Sequence, residues 1–271
     1  MGTTDNTAQE KLLNAANGIS ALLLNTLLML FSIALIVWGF SKGDDIRPPH
    51  VILIILGFLY SCLIGPVICF GFKVIKPGEA LVLTLFGKYI GALKTPGFYY
   101  VHPFCSAVNP AADSKPTTAE TPTPRTAQAS GNHTYVQAFS KKLSLKSMTL
   151  NNDRQKINDK LGNPIIIGIV VVWRVVDTAK AVFNVDNYVE YLSIQCDSAL
   201  RNIVRQYPYD ATDDVGGESL RNSSAEIADR LRGEIQENVE IAGLEIMEAR
   251  ITHLAYAPEI AAAMLQRQQA S

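Results

Sequence analysis

The chain is short of charge, and the shortage is local. Charged side chains make up 18% of its 271 residues, against about 25% in an average soluble domain. Ile19–Phe40 and Val51–Phe72 contain no Asp, Glu, Lys or Arg at all. Catalytic signatures are missing too. There is no HExxH, GxSxG, P-loop or GxGxxG, and Gly216-Gly217 is an isolated pair that reads as a turn. The four histidines (His50, His102, His133, His253) are scattered, whereas nucleophilic catalysis needs a base beside its nucleophile. No catalytic residue and no cofactor follows from the sequence. Cys62, Cys69, Cys105 and Cys196 form no CxxC and no metal spacing, which argues against a zinc site and a disulfide framework. Asp210, Asp213, Asp214 and Glu218 do not match a calcium loop and read as a solvated acidic turn. No metal site is expected. A formal net charge of −1 gives no reason to expect nucleic acid.

What is present begins with the two charge-free runs, each 22 residues long. A helix needs about 20 apolar residues to cross a hydrocarbon core of ~30 Å. Two core helices of a soluble protein would show caps and polar breaks. A signal peptide would start earlier, be shorter and carry a basic leader. Residues 1–18, with Asp5, Glu10 and Lys11, read as a polar tail. The link Ser41–His50 is long enough only for a turn. Residues 19–72 are therefore expected to form a transmembrane hairpin, spans 19–40 and 51–72, with both chain ends on one side. Pro66, beside Gly65, should kink the second helix, and Trp38 and Tyr60 are candidate interface aromatics. Lys11, Lys73, Lys76 and Lys88 on the shared side outweigh Lys42 and Arg47 in the turn, which places the soluble domain in the cytoplasm at the cell membrane. Cys69, at the expected boundary, is a lipidation candidate. Its alternative is a small hydrophobe facing lipid or the partner helix.

From Lys73 the composition becomes that of a globular domain. Pro77-Gly78 turns the chain into a strand over 79–86, with Thr84 as a break. Thr95-Pro96-Gly97 precedes a strand at Phe98–Val101. Ser106–Asn132, rich in Ala, Thr and Pro, reads as an exposed mobile insertion. Leu143, Leu145, Met148 and Leu150 suggest a half-buried strand, and Ile165–Val176 a central strand covered on both faces. Asp186 is read as the cap of a helix carrying Val189, Leu192, Cys196, Leu200 and Ile203, ended by Tyr207-Pro208. A second amphipathic helix is expected over 218–241, a strand over 244–254, and a helix opening at Pro258.

The motifs Val74-Ile75-Lys76-Pro77-Gly78-Glu79-Ala80, Phe86-Gly87-Lys88, Pro96-Gly97-Phe98 and Pro103-Phe104 resemble the opening of the stomatin/prohibitin/flotillin (SPFH, or Band 7) domain. Gly162-Asn163-Pro164 with Trp173-Arg174-Val175, Ala199–Val204, Ala249-Arg250-Ile251 and Pro258-Glu259-Ile260 resemble its second half. The resemblance spans Lys73–Ser271. It implies an α+β fold: the hairpin, a first SPFH subdomain (73–150, with the insertion at 106–132), a second (151–256) and the start of a long C-terminal helix (257–271). Relatives usually have a short turn in place of Ser106–Asn132, and a coiled coil after Gln269. The resemblance implies a scaffold rather than an enzyme: a large homo-oligomeric ring or cage that organises a membrane microdomain. Its partners would be membrane lipids and membrane proteins such as proteases or channels. Ala261, Ala262, Met264 and Leu265 are candidate oligomer contacts, since small side chains let helices approach closely; good helix propensity explains the alanines equally. An accessory subunit of a channel or transporter is the alternative function, a membrane hydrolase a further one. Spans without charge make a poor pore alone.

Overall fold

The computed structural model describes residues 10–41, 48–113, 141–152, 154–210 and 219–261. The chain divides into two compact units: Glu10–Val108 with Lys141–Leu143, and the remainder from Asn109 onward.

The first unit carries both apolar helices. α1 runs Gly18–Ser41, 24 residues and ~36 Å at 1.5 Å per residue. The second changes type along its length: α2 (Pro48–Leu59), a π-helical turn (Tyr60–Ile64) and α3 (Gly65–Cys69). Pro66 explains the change. A proline ring collides with the carbonyl four residues back, and the wider turn gives it room: the Gly65 N–H donates to Tyr60 O. A π turn thus precedes the proline at which the sequence leads one to expect a kink. The helix also stops at Cys69, short of the expected Phe72. Phe72 already belongs to a strand.

That strand, β2 (Phe72–Ile75), lies in a three-stranded sheet of order β1-β5-β2, where β1 is Ala16–Asn17 and β5 is Gly97–Tyr100. Tyr100 is opposite both Ala16 and Phe72. The segment before α1 is therefore not simply a tail. Leu13 and Ala15 pack against a core of Ile75, Leu81, Leu83, Leu93, Val101 and Cys105, and Glu10 pairs with Lys94 at 2.7 Å. The second sheet has the order β4-β3-β6, with β7 also on β3. β3 is Glu79–Leu85, β4 Lys88–Leu93, β6 Cys105–Ala107 and β7 Leu143–Ser144. Thr84, the polar break in this apolar run, stays within β3, where the register with β4 shifts between Leu83 and Thr84; buried, its hydroxyl meets the Ser106 hydroxyl at 3.0 Å. Ser106 and Ala107 are strand residues, so the expected insertion cannot begin at 106. A one-turn helix α4 (Pro110–Asp113) follows, and 114–132 lie outside the described residues.

The second unit is built on β10 (Pro164–Val175), flanked by β11 (Leu244–Tyr256) on one side and by β8 (Met148–Asn151) and β9 (Gln155–Asn158) on the other. β8 therefore sits on the far side of the division, which falls after Leu143 rather than at Leu150. Ile165, Ile167, Ile169, Val171, Trp173 and Val175 are buried on one face of β10. The other face, with half-buried Ile166, Val170 and Val172 and exposed Arg174, is only partly covered, not fully as expected. α5 (Thr178–Phe183) is capped by Asp177. α6 (Tyr188–Val204) is capped by Asn187, whose Oδ1 accepts from the Val189 and Glu190 N–H groups. The cap is thus one residue beyond the expected Asp186. α6 also ends three residues before Tyr207. α7 (Ser224–Val239) starts six residues later than expected, because buried Leu220 is tied back by its N–H to Pro208 O at 2.9 Å. A 3-10 turn (Glu240–Ala242) follows α7, and Gly243, at φ 65°, closes it in the left-handed region. Residues 258–261 start a helix behind Pro258.

Candidate membrane-attachment site

The buried residues of α1 are Gly18, Asn25, Ser32 and Gly39, spaced by seven. A seven-residue repeat keeps one stripe of a helix turned toward a partner, and here the stripe is small or polar. Small residues let helix backbones approach in an apolar medium. Opposite it, a Cβ added at Gly57 would stand 2.9 Å from Ser32 O, and one at Gly65 3.7 Å from Met29 Cε. Away from the stripe both helices are exposed and apolar. Only 11% of the residues in the most apolar stretch of each are buried, where a core helix of a soluble protein would be mostly buried.

Four polar side chains inside this layer have partners. The Tyr60 hydroxyl donates to Asn25 Oδ1 at 3.1 Å, and Asn25 Nδ2 donates to Cys69 Sγ at 3.6 Å. Ser32 and Thr26 return their hydroxyls to carbonyls within α1, the usual resolution for such residues in a helix. Tyr60, a candidate interface aromatic by sequence, instead stands mid-helix and faces α1. Trp38 lies near the far end of α1, half exposed. Cys69 is exposed, with its sulfur also touched by Asn25.

Two glycines join the helices to the sheet. A Cβ at Gly18 would fall 2.5 Å from the Phe98 ring, and one at Gly71 2.3 Å from Val101 O. Any other residue at either position forces the helix away from β5. Around this junction Phe72 stacks on Phe98 with centroids 5.4 Å apart and tilts against Tyr100 at 5.3 Å. An aromatic collar therefore surrounds the point where both helices leave the sheet, and Phe70 stands beside it, largely exposed.

A second aromatic feature lies on the same unit. β3 and β4 are joined by a two-residue turn, with Leu85 opposite Lys88. Phe86 (φ 49°) and Gly87 (φ 83°) occupy it. Positive φ at both positions suits Asn-Gly. A phenylalanine there carries roughly 1–2 kcal/mol of strain. Its ring is 84% exposed and stacks at 6.1 Å on Phe104, itself 61% exposed.

Electrostatics nearby are modest. Lys142 donates to Glu79 Oε2 at 2.9 Å, and this bond holds the Glu79 carboxyl below its usual range. Burial pushes the Cys105 thiol up, with Lys73 close enough to oppose the shift. In the second unit burial raises Cys196 to about 12. Both buried thiols are thus poor nucleophiles at neutral pH. His102 Nδ1 accepts the Phe104 N–H, and His253 is on β11. Asp210 pairs with Arg221 at 3.5 Å; Asp213, Asp214, Gly216, Gly217 and Glu218 lie outside the described residues, as does His133. Among the described residues no group of acidic, histidine or cysteine side chains has the arrangement of a metal site. Of the expected oligomer contacts, Ala261 is half-buried, its N–H bonded to Ala257 O at 3.1 Å. Ala262, Met264 and Leu265 lie outside the described residues.

Asp159 gives no sequence signal, yet it organises the second unit. Buried, it accepts from the Leu161 and Asn163 N–H groups at 2.9 and 2.7 Å and from Tyr209 N–H at 3.0 Å. It shapes the turn that carries Gly162-Asn163-Pro164. Asn152 and Gln155 likewise hydrogen-bond Asp197 of α6.

No curated protein matches the chain. The family model described as SPFH domain / Band 7 family matches residues 73–271, well over half of it.

Proposed function

Since the chain belongs to the SPFH domain / Band 7 family, whose members are generally membrane scaffolds, we propose that it is a membrane-anchored oligomeric scaffold that organises a local membrane domain and regulates other membrane proteins. The observation that carries the anchor is the β1-β5-β2 sheet. It binds the chain just before α1 and just after α3 to the same strand, with Ala16 and Phe72 flanking Tyr100. A hairpin held this way enters and leaves a bilayer on one side, and the soluble units stay there. The lysines on that side favour the cytoplasmic face. The Asn25–Tyr60 bond and the glycine contacts across the seam support a hairpin that is itself a rigid unit.

Assembly into rings or cages, through the helix opening at Pro258, completes the reading. Mass photometry and electron cryomicroscopy of the full chain in lipid nanodiscs test it. Closed particles of many copies are expected, and a monomer at all concentrations refutes the scaffold. Co-purification with one defined channel or transporter at fixed stoichiometry would favour an accessory subunit.

A further inference from the structure

We propose that the partly covered face of the second unit's sheet holds a binding site for a phosphate monoester, formed by Asn151, Arg154, Thr252 and His253 around Gly168. The inference rests on neither the hairpin nor assembly. Three observations carry it.

The first is the backbone. Both neighbours of β10 bulge at the same step of that strand. On one side Gly168 is opposite His253 and Ile169 is opposite Ile251, so Thr252 is an extra residue in β11. On the other side Ile167 is opposite Gln155 of β9, and Val170 is opposite Asn151 of β8. Gly168 and Ile169 therefore face three positions, 152 to 154, of which Asp153 lies outside the described residues. Bulges re-aim side chains and gather beside functional sites. A glycine inside a strand marks a place where a ligand or another backbone comes close. Here two bulges and a glycine coincide. A Cβ at Gly168 would stand 3.4 Å from Thr252 Oγ1, 3.5 Å from Arg154 Cγ and 3.7 Å from His253 Cβ. Those are ordinary contacts, so packing within the chain does not demand a glycine. Three side chains ring the floor that it leaves bare.

The second is space on a fixed frame. A recess of about 610 Å³ opens at this point, lined by Asn151, Asn152, Arg154, Val170, Thr252 and His253. Small-molecule sites run to ~300–1,000 Å³. The frame is held from behind. The side-chain amides of Asn152 and Gln155 both donate to Asp197 of α6, and Arg201 Nε donates to Gln155 Oε1 at 3.3 Å. The passage from β8 to β9 is thus pinned to α6 at both ends of the bulge, which lowers the cost of ordering it around a ligand.

The third is charge. The cations on either side are neutralised in pairs, Lys156 with Glu259 and Arg250 with Glu248. Arg154 and His253, between them, make no ion pair among the described residues. Arg154 offers a fork of N–H donors, His253 an imidazole N–H, Thr252 a hydroxyl and Asn151 a carboxamide. The guanidinium fork meets two oxygens of a phosphate at once. A carboxylate has only two oxygens for these four side chains. A phosphate monoester brings three acceptor oxygens and more negative charge.

The test titrates glycerol 3-phosphate calorimetrically into the full chain in nonionic detergent and phosphate-free buffer. Saturable, stoichiometric binding is expected. Arg154→Met and His253→Phe should each weaken it by on the order of tenfold, the loss that follows from removing a hydrogen bond to a charged group. Arg154→Lys keeps the charge without the fork and should fall between. Arg154 is exposed, so Arg154→Met should leave the melting temperature unchanged. Arg174→Met, on the same face but in a residue paired with Glu245, should leave the affinity unchanged. An equal loss in Arg174→Met would show diffuse attraction and refute the site. A lower melting temperature with unchanged affinity in Arg154→Met would make Arg154 structural and refute it too. So would the absence of saturable binding at millimolar ester. Sodium sulfate bound as tightly as the ester would mean an adventitious ion only and would also overturn the proposal. The source of the phosphate is read by repeating the titration in phosphatidylcholine nanodiscs with and without phosphatidic acid. Loss of glycerol 3-phosphate binding when phosphatidic acid is present would assign the site to a lipid headgroup. Equal binding in both would assign it to a soluble ester. Either result supports a phosphate monoester site.

Discussion

The Tyr60 hydroxyl donates to Asn25 Oδ1 at 3.1 Å, joining two residues 35 positions apart across the apolar hairpin. Hydrogen bonds between membrane helices average about 0.6 kcal/mol and reach ~1.7. Tyr60→Phe should therefore weaken the hairpin by about 1 kcal/mol. Asn25→Leu should cost a similar amount, because it also loses the fit to a seam of small residues. A double-mutant cycle read by denaturant unfolding in detergent should return a coupling of the same order. Strict additivity would show that the two side chains do not interact.

The seam itself sets a steric limit. Gly57→Leu drives a side chain into Ser32 O, where even a Cβ would stand at 2.9 Å. Overpacking of a close contact costs about 1–3 kcal/mol. Cysteine pairs placed across α1 and α2 should lose crosslinking efficiency in this variant, whereas Gly57→Ala should show a smaller loss. Equal crosslinking in all three proteins would contradict the close approach.

Asp159 should be among the most sensitive positions in the second unit. It is 4% exposed and accepts three backbone N–H bonds. Hydrogen bonds to a charged group contribute about 1.5–3 kcal/mol each when lost singly. Asp159→Ala should therefore destabilise the unit by at least ~2 kcal/mol. Asp159→Asn keeps one acceptor oxygen and should lose less. Hydrogen exchange at Leu161, Asn163 and Tyr209 should rise first, and unchanged protection there would count against the assignment.

Glu79 and Lys142 give a pH dependence with a definite sign. The carboxyl is held below its usual range by the Lys142 bond. A depressed folded-state value means stabilisation that is fully present above the unfolded value and fades as pH falls through the folded one. Lys142→Met should thus lower the melting temperature at neutral pH. The gap from the unaltered chain should close as pH drops below the ordinary carboxylate value of about 4.3. A gap independent of pH would mean that Lys142 acts through packing alone.

What the sequence carries and what it hides divide along a physical line. Patterns set by one element are legible. Leu192, Cys196, Leu200 and Ile203 at helical spacing form the buried face of α6, and Ile227, Leu231 and Ile235 that of α7. The two charge-free runs are long apolar helices. Features that need a distant partner are not legible. β1 is two residues long, too short for any period, and exists only because Tyr99 and Tyr100 receive it. Thr84 reads as a break until Ser106 is placed beside it. Asp186 and Asn187 are both competent caps, and only the backbone selects the second. The strain at Phe86 requires a φ angle, and sequence pattern does not report one. Asp159 looks like any loop aspartate until Tyr209 is folded over it.

The sheet that holds both helix ends changes how the anchor must be removed. Deleting Met1–Phe72 takes away the hairpin, but also β1 and the Leu13 and Ala15 contacts to the core, and it strips β5 of one neighbour and part of the other. An unpaired strand edge invites association, so that fragment should aggregate. Replacing residues 18–71 with a linker keeps Ala16–Asn17 and Phe72–Ile75 in place. The linker must cross from one side of β5 to the other, two strand spacings or ~10 Å. About six Gly/Ser residues reach that far. The linked chain should be soluble, absent from sedimented vesicles that lack anionic lipid, and as cooperative in thermal unfolding as the parent in detergent. Continued binding to anionic vesicles would mean that the hairpin is not the only attachment. A linked chain that aggregates like the simple truncation would mean that β1 does not stabilise the sheet as its pairing with Tyr99 and Tyr100 requires.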